Sequence, residues 1–199
     1  MLRILYNDIY TAKTSIFLFI LILLVPYINM LIKIPIFMIL VINSIRLVTY
    51  SDYKNRTTIF YTTLPITRKE YIIEKAVFLI STMIVGVIIL LVPLLTNQHG
   101  DNTLYVSLLI YICGITLLIS GIYLLISYVF NPITADFYNE IAALGISLVL
   151  GKILIFDRSD IFTIITKING IAPLFLVLSF FIFSCIIFFT CKLFKNKNL

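Results

Sequence analysis

The sequence predicts an all-α, polytopic membrane protein, and three observations lead there. Its composition is 61% hydrophobic with only 12% charged residues, whereas globular chains run about 45–50% apolar and about 25% charged. The mean hydropathy is +1.13. The apolar residues come in continuous runs such as 15–24, 84–95 and 175–190, not in the alternating short segments of a transmembrane barrel. Continuous apolar runs of this length fold as helices, because only a helix satisfies its own backbone in lipid. At about 20 residues per crossing, the apolar mass of 199 residues fills six spans. That arithmetic excludes a water-soluble enzyme, a disordered chain and a disulfide scaffold, and it leaves a single transmembrane domain over 1–199.

Residues 1–13 are polar enough to lie outside the apolar core. Leu2, Ile4, Leu5 and Ile9 nevertheless share one helical face, as in an amphipathic helix at a membrane interface. The first span is predicted over 15–31. It is read as retained, since no small-x-small cleavage site follows it. Lys33 and Pro35 are read as a tight turn before the second span, 34–50. A polar stretch covers 51–75 and leads into the third span, 72–95. The segment 96–103 is a loop with Gly100 as its turn residue and carries His99 beside Asp101, read as exposed. The fourth span covers 104–130. Asn131–Pro132 breaks it, because the residue before proline is steered away from helical geometry. The fifth span is 140–156 and the sixth 171–193. Between them, Ser159 is placed to cap a short helix with Ile161, Ile164, Ile165 and Ile168 on one side.

An even number of spans puts both termini on one side. That side gathers Arg3, Lys13, Arg46, Lys54, Arg56, Arg68, Lys69, Lys75, Lys192, Lys195 and Lys197, eleven of the fifteen basic residues. Lys and Arg concentrate on the cytoplasmic face, so both termini are expected there. The same asymmetry accounts for the basic pI through topology and anionic lipid, with no nucleic acid involved. Cys113, Cys185 and Cys191 all fall inside spans and read as small packing residues, with no disulfide or metal spacing.

The polar stretch 51–75 holds most of the functional information. Ser51 is placed to cap a short helix with Asp52 in its first turn. Ile59, Phe60 and Leu64 make a small apolar face, and Pro65 ends it. Thr67-Arg68-Lys69-Glu70 is a capping box, in which the Thr67 hydroxyl and the Glu70 carboxylate satisfy each other's backbone amides. The result is a cytoplasmic elbow: an amphipathic helix, a break and a capped transmembrane helix. Read from composition alone, it is a basic connector that enforces topology.

The elbow also resembles that of permease subunits of the ABC-2 type transporter family. The resemblance is carried by Asp52, Lys54, Phe60, Leu64, Pro65, Ile66, Thr67, Arg68, Lys69, Glu70, Tyr71 and Lys75. The sequence departs from the family pattern at Tyr53, where a second acid is usual, and at Thr57 and Thr58, where a Trp is common. The acidic Asp8 in an amphipathic N-terminal helix, the six spans and a polar extracellular section before the last are similar to the family as well. Among its small members, the chain is similar to the phenol-soluble modulin exporters of Gram-positive bacteria. The resemblance implies that Asp52, Lys54, Phe60, Leu64, Pro65, Thr67, Arg68, Lys69 and Glu70 couple to a separate ATPase. It further implies a pair of permeases, identical or related, joined to two ATPase subunits in a bacterial plasma membrane. The expected cargo is an amphipathic peptide, exported as a toxin or for self-immunity. The chain has no Gly-x-x-x-x-Gly-Lys-[Ser/Thr] loop, so ATP and Mg are expected only through the partner, and no catalysis is expected of the chain itself. A non-transport immunity or assembly protein, binding a partner within the bilayer, is the alternative.

Ala143, Ser147 and Gly151 recur every four residues on the fifth span. Small residues so spaced let helices approach closely in lipid, which makes them a helix-packing or dimer candidate. Arg46 and Lys152 are read as snorkelling from span ends. No buried pair of acids or His is expected, hence no proton relay. Tyr105, Tyr111, Tyr123 and Tyr128 are read as lipid-facing or packing residues.

Overall fold

The computed structural model describes residues 2–24, 30–54, 67–96, 102–155 and 169–195. Over these residues the chain is helical: α1 (Leu2–Leu24), α2 (Met30–Lys54), α3 (Arg68–Thr96), α4 (Asn102–Val129), α5 (Pro132–Ile155) and α6 (Ala172–Lys195), the last preceded by a 3-10 turn at Asn169–Ile171. Among the described residues, four stretches are long and apolar enough to cross a membrane: Lys33–Lys54, Arg68–Leu91, Tyr105–Val129 and Ala172–Phe194.

Several boundaries differ from the sequence reading, each for a local reason. Lys33 and Pro35 do not form a turn but lie inside α2. Proline this close to the start forfeits only one ladder hydrogen bond beyond the amides that any helix leaves unpaired. Ser51 does not begin a new helix either, because α2 runs on through Ser51 to Lys54. Asn131–Pro132 ends α4, as expected, but it also starts α5 at once. The Asn131 side chain accepts from the Ile133 amide at 3.0 Å, and its carbonyl accepts from the Ala135 amide at 3.1 Å. Asn caps well and Pro at the first helical position has its φ preset. The gap between the predicted spans 104–130 and 140–156 is therefore one turn, and Pro132–Ile155 is helix.

α4 and α6 form the most extensive helix pair. Two glycines of α4 allow it. A Cβ on Gly114 would lie 2.7 Å from a Phe175 ring carbon, and one on Gly121 would lie 2.9 Å from Phe183. Ser107, buried on the same helix, precedes Gly114 by one heptad. In lipid no hydrophobic force drives helices together, so close packing over small residues takes its place. The core continues across α2 and α3 through Ile34, Phe37, Ile45, Ile72, Phe78 and Leu79, all nearly inaccessible. Outward, Ile84, Ile88, Leu174, Phe181 and Phe188 are more than half exposed. Patches of this extent are rare on soluble monomers, and lipid is the solvent that fits them.

Candidate functional site

The end of the bundle that carries the α2–α3 connection is held by charged and aromatic side chains. Lys75, one turn beyond Tyr71 on α3, is fully buried. Its ammonium donates to Asp8 Oδ1 on α1 at 2.6 Å and lies 2.7 Å from Asp52 Oδ2 on α2. The Tyr71 hydroxyl donates to the same Asp52 oxygen at 2.5 Å, and Lys75 Nζ lies 4.9 Å from the Tyr71 ring centre. Tyr71 meets Tyr128 of α4 edge-on at 5.7 Å, and Tyr128 meets Phe194 of α6 at 5.6 Å. Arg68 closes the chain of contacts, with Nη1 donating to the Phe194 carbonyl at 3.3 Å. Asp8, Asp52, Glu74 and Lys75 are all under 5% exposed.

The expectation that no acids pair in the interior is therefore corrected. The sequence places Asp52 and Lys75 in the polar stretch 51–75 and Asp8 on an interfacial helix, and position along the chain gives no sign that the three meet. The helical face tells otherwise: Tyr71, Lys75, Phe78 and Leu79 fall on one side of α3 at spacings of three and four, and all are buried. Asp8 shares the buried side of α1 with Ala12, four residues on. A charge in register with an apolar face was the available signal.

Two carboxylates against one ammonium leave the triad one negative charge in excess. Removing charge from water is costly, and mutual attraction offsets the cost only when partners balance. Asp8, which lies outside the four candidate spans, shows the consequence. Burial pushes its carboxyl from 3.8 up to about 6, with Asp52 and Glu74 adding to the rise and Lys75 opposing it. Its Oδ2 has no hydrogen-bond partner among the described residues.

A second polar group lies alongside. Arg46 Nε donates to Asp136 Oδ1 at 3.0 Å, and Arg46 also lies 3.9 Å from Glu140. The Tyr123 hydroxyl donates to the same Asp136 oxygen at 3.1 Å and lies 3.0 Å from Thr49 Oγ1. Arg46 is thus paired across helices. Of the tyrosines read as lipid-facing or packing, Tyr123 and Tyr128 are packing residues of the buried core, Tyr128 through its ring contacts with Tyr71 and Phe194. α2, α4 and α5 are tied by this group as α1, α2 and α3 are by the first.

Of the coupling residues read from sequence, the capping box is present as expected. The Thr67 amide donates to Glu70 Oε2 at 2.8 Å, and the Glu70 amide donates to Thr67 Oγ1 at 3.2 Å. Thr67, Lys69 and Glu70 are exposed, and Lys54 is exposed at the end of α2. Asp52 is not presented to solvent but turned into the Lys75 cluster. Phe60, Leu64, Pro65 and Ile66 lie outside the described residues, as do His99, Asp101 and the predicted helix after Ser159. Ala143, Ser147 and Gly151 are on α5 at the expected spacing, but their side chains fall outside the description. The sequence reading missed Gly114 and Gly121, whose seven-residue spacing was the signal.

Cys113 and Cys191 are buried and Cys185 half-buried, all as free thiols. Cys113 also lines an apolar cleft of about 340 Å³ between α3, α4 and α6, with Met83, Val87, Leu109 and Phe180 among its walls. Such a surface accepts hydrocarbon and nothing charged.

A family model described as ABC-2 family transporter protein matches residues 3–195. No curated protein and no solved structure matches the chain.

Proposed function

The chain belongs to the ABC-2 transporter family, and from that membership we propose that it is the membrane-spanning permease subunit of an ATP-driven exporter. The observation that carries this reading is the family match over residues 3–195, nearly the whole chain. In this reading six spans cross a bacterial plasma membrane with both termini cytoplasmic, and the charged end of the bundle faces the cytoplasm. ATP and Mg are bound and hydrolysed by a separate ABC ATPase, two copies of which meet a pair of permeases. The exposed start of α3, ordered by its Thr67–Glu70 box, and the connection before it form the docking element. The chain itself catalyses nothing. Its cargo is an amphipathic or hydrophobic peptide, and the apolar cleft beside Cys113 is chemically suited to the apolar side chains of such a cargo.

The test is co-purification of the tagged chain with its cognate ATPase from membranes. Wild type is expected to retain the ATPase, and Leu64→Ala and Arg68→Ala are expected to lose most of it. A wild-type chain that retains no ATPase overturns the permease reading. Retention by both variants overturns only the docking assignment. For the cargo, deletion cells are expected to retain amphipathic peptides and become sensitive to them, and unchanged export and sensitivity would remove the peptide assignment.

A further inference from the structure

The Lys75 cluster sits where an exporter would have to transmit movement. Asp52 lies in the last turn of α2, and Tyr71 and Lys75 lie in the first turns of α3. The two flanks of the 55–66 connection are thus fastened to each other through Asp52, Tyr71 and Lys75, with contacts of 2.5 and 2.7 Å. The same ammonium holds Asp8 of α1 at 2.6 Å. Lys75 therefore joins three helices at one nitrogen, which gives a push on the connection a direct polar route to α1.

Stability alone is a poor reason for this arrangement, since apolar residues of similar volume often serve a buried site better than ions do. A clasp built only for strength would also balance its charges. Here two carboxylates share one ammonium, and the Asp8 Oδ2 has no hydrogen-bond partner among the described residues. The ammonium has three donors and holds both carboxylates at once, at 2.6 and 2.7 Å, so neither carboxylate can move away without giving up its contact with Lys75. A shared polar contact of this kind is part of a contiguous network of the sort that carries coupling between distant sites.

We propose that Lys75 is a positioning residue for energy coupling, holding α1 and both flanks of the 55–66 connection as one unit so that movement imposed on the connection is delivered to the N-terminal helix. The proposal rests on the permease reading above. It assigns Asp8 and Asp52 as the joint anchors of the ammonium, with Tyr71 keeping Asp52 oriented.

The experiment has two arms on the full-length chain in lipid nanodiscs. In the first, spin labels replace the exposed Tyr10 of α1 and Val77 of α3 in a background lacking the native cysteines. Wild type is expected to give one narrow distance distribution. Lys75→Met is expected to broaden or split it, and Lys75→Arg to restore it. In the second arm, the complex with the cognate ATPase is assayed for permease-stimulated ATP hydrolysis. Lys75→Met is expected to lower stimulation by about fivefold or more, the lower end of ordinary coupling between sites, while the amount of ATPase retained stays unchanged. Lys75→Arg is expected to recover it, which a purely structural lesion in docking would not explain.

If Lys75→Met does not fold, the neutral variant D8N/D52N/K75M replaces it, and it is expected to fold yet to remain uncoupled. A narrow distribution in Lys75→Met, or full stimulation in either variant, overturns the proposal. Absence of any ATPase from the wild-type complex overturns the permease reading and the coupling role with it. The distance arm then still reports separately whether Lys75 holds the helices together.

Discussion

Asp8→Asn offers a quantitative test of the charge imbalance, because its sign runs against the usual cost of deleting a salt bridge. The Asp8 carboxyl is held at about 6 in the folded chain against an ordinary 3.8, so the folded state binds its proton more tightly than the unfolded state does. Stability linked to this group is therefore present at low pH and is lost as pH rises from about 4 to about 6. A shift of roughly two units corresponds to about 3 kcal/mol. Asparagine has the shape of the neutral acid and escapes that loss. Its amide would nevertheless meet the same unpartnered position as Oδ2, which subtracts about 1 kcal/mol. The net expectation is that Asp8→Asn stabilises the protein by about 2 kcal/mol above about pH 6.5, or roughly 4–8 °C in Tm. Near pH 4 the gain disappears, since wild-type Asp8 is then itself protonated in the folded state. Melting followed by far-ultraviolet circular dichroism in nanodiscs at a series of pH values measures this. A lower Tm for Asp8→Asn at neutral pH, or a difference that does not change with pH, refutes the reasoning.

Three further outcomes follow from the same structure. Gly121→Leu should destabilise the bundle by about 1–3 kcal/mol through overpacking, because its Cβ would lie 2.9 Å from the Phe183 ring; thermal melts check it, and an unchanged Tm would remove the close α4–α6 approach. Asp136→Ala should cost about 0.5–1.5 kcal/mol, the net worth of an ordinary hydrogen bond, since it removes the carboxylate that serves Arg46 and Tyr123 while Tyr123 keeps Thr49 and Arg46 keeps Glu140. Combining it with Arg46→Met should give less than the sum of the two single losses, whereas strict additivity would mean that the two residues do not interact. Thr67→Ala should speed amide exchange in the first turn of α3 without moving the global Tm, because the box satisfies amides at a helix terminus only; exchange rates equal to wild type would show that the cap is not used.

Local signals in the sequence were read correctly where neighbours alone decide. Thr67 and Glu70 are three residues apart, and their reciprocal hydrogen bonds need no other part of the chain. Asn131–Pro132 was legible as an end but not as a beginning, since the same two residues serve both helices. Ser51 misled because a good cap residue also tolerates a helix interior when the next residue is pulled inward; Asp52 is so held by Lys75 and Tyr71. Gly114 and Gly121 were passed over in favour of the small residues of α5, because small-residue spacing marks a helix face without naming the partner that fills it.

By itself, then, the sequence determined the solvent and the class: continuous apolar runs force helices in lipid, since every backbone amide must be satisfied within its own segment. It also determined the capped start of α3. Where the scarce charge goes was decided only by tertiary structure. Lys75 and Asp8 are separated by 67 positions and Arg46 and Asp136 by 90, and no local pattern carries information about a partner that far away. A lysine on the edge of an apolar run is a surface residue until two carboxylates from other helices close on it.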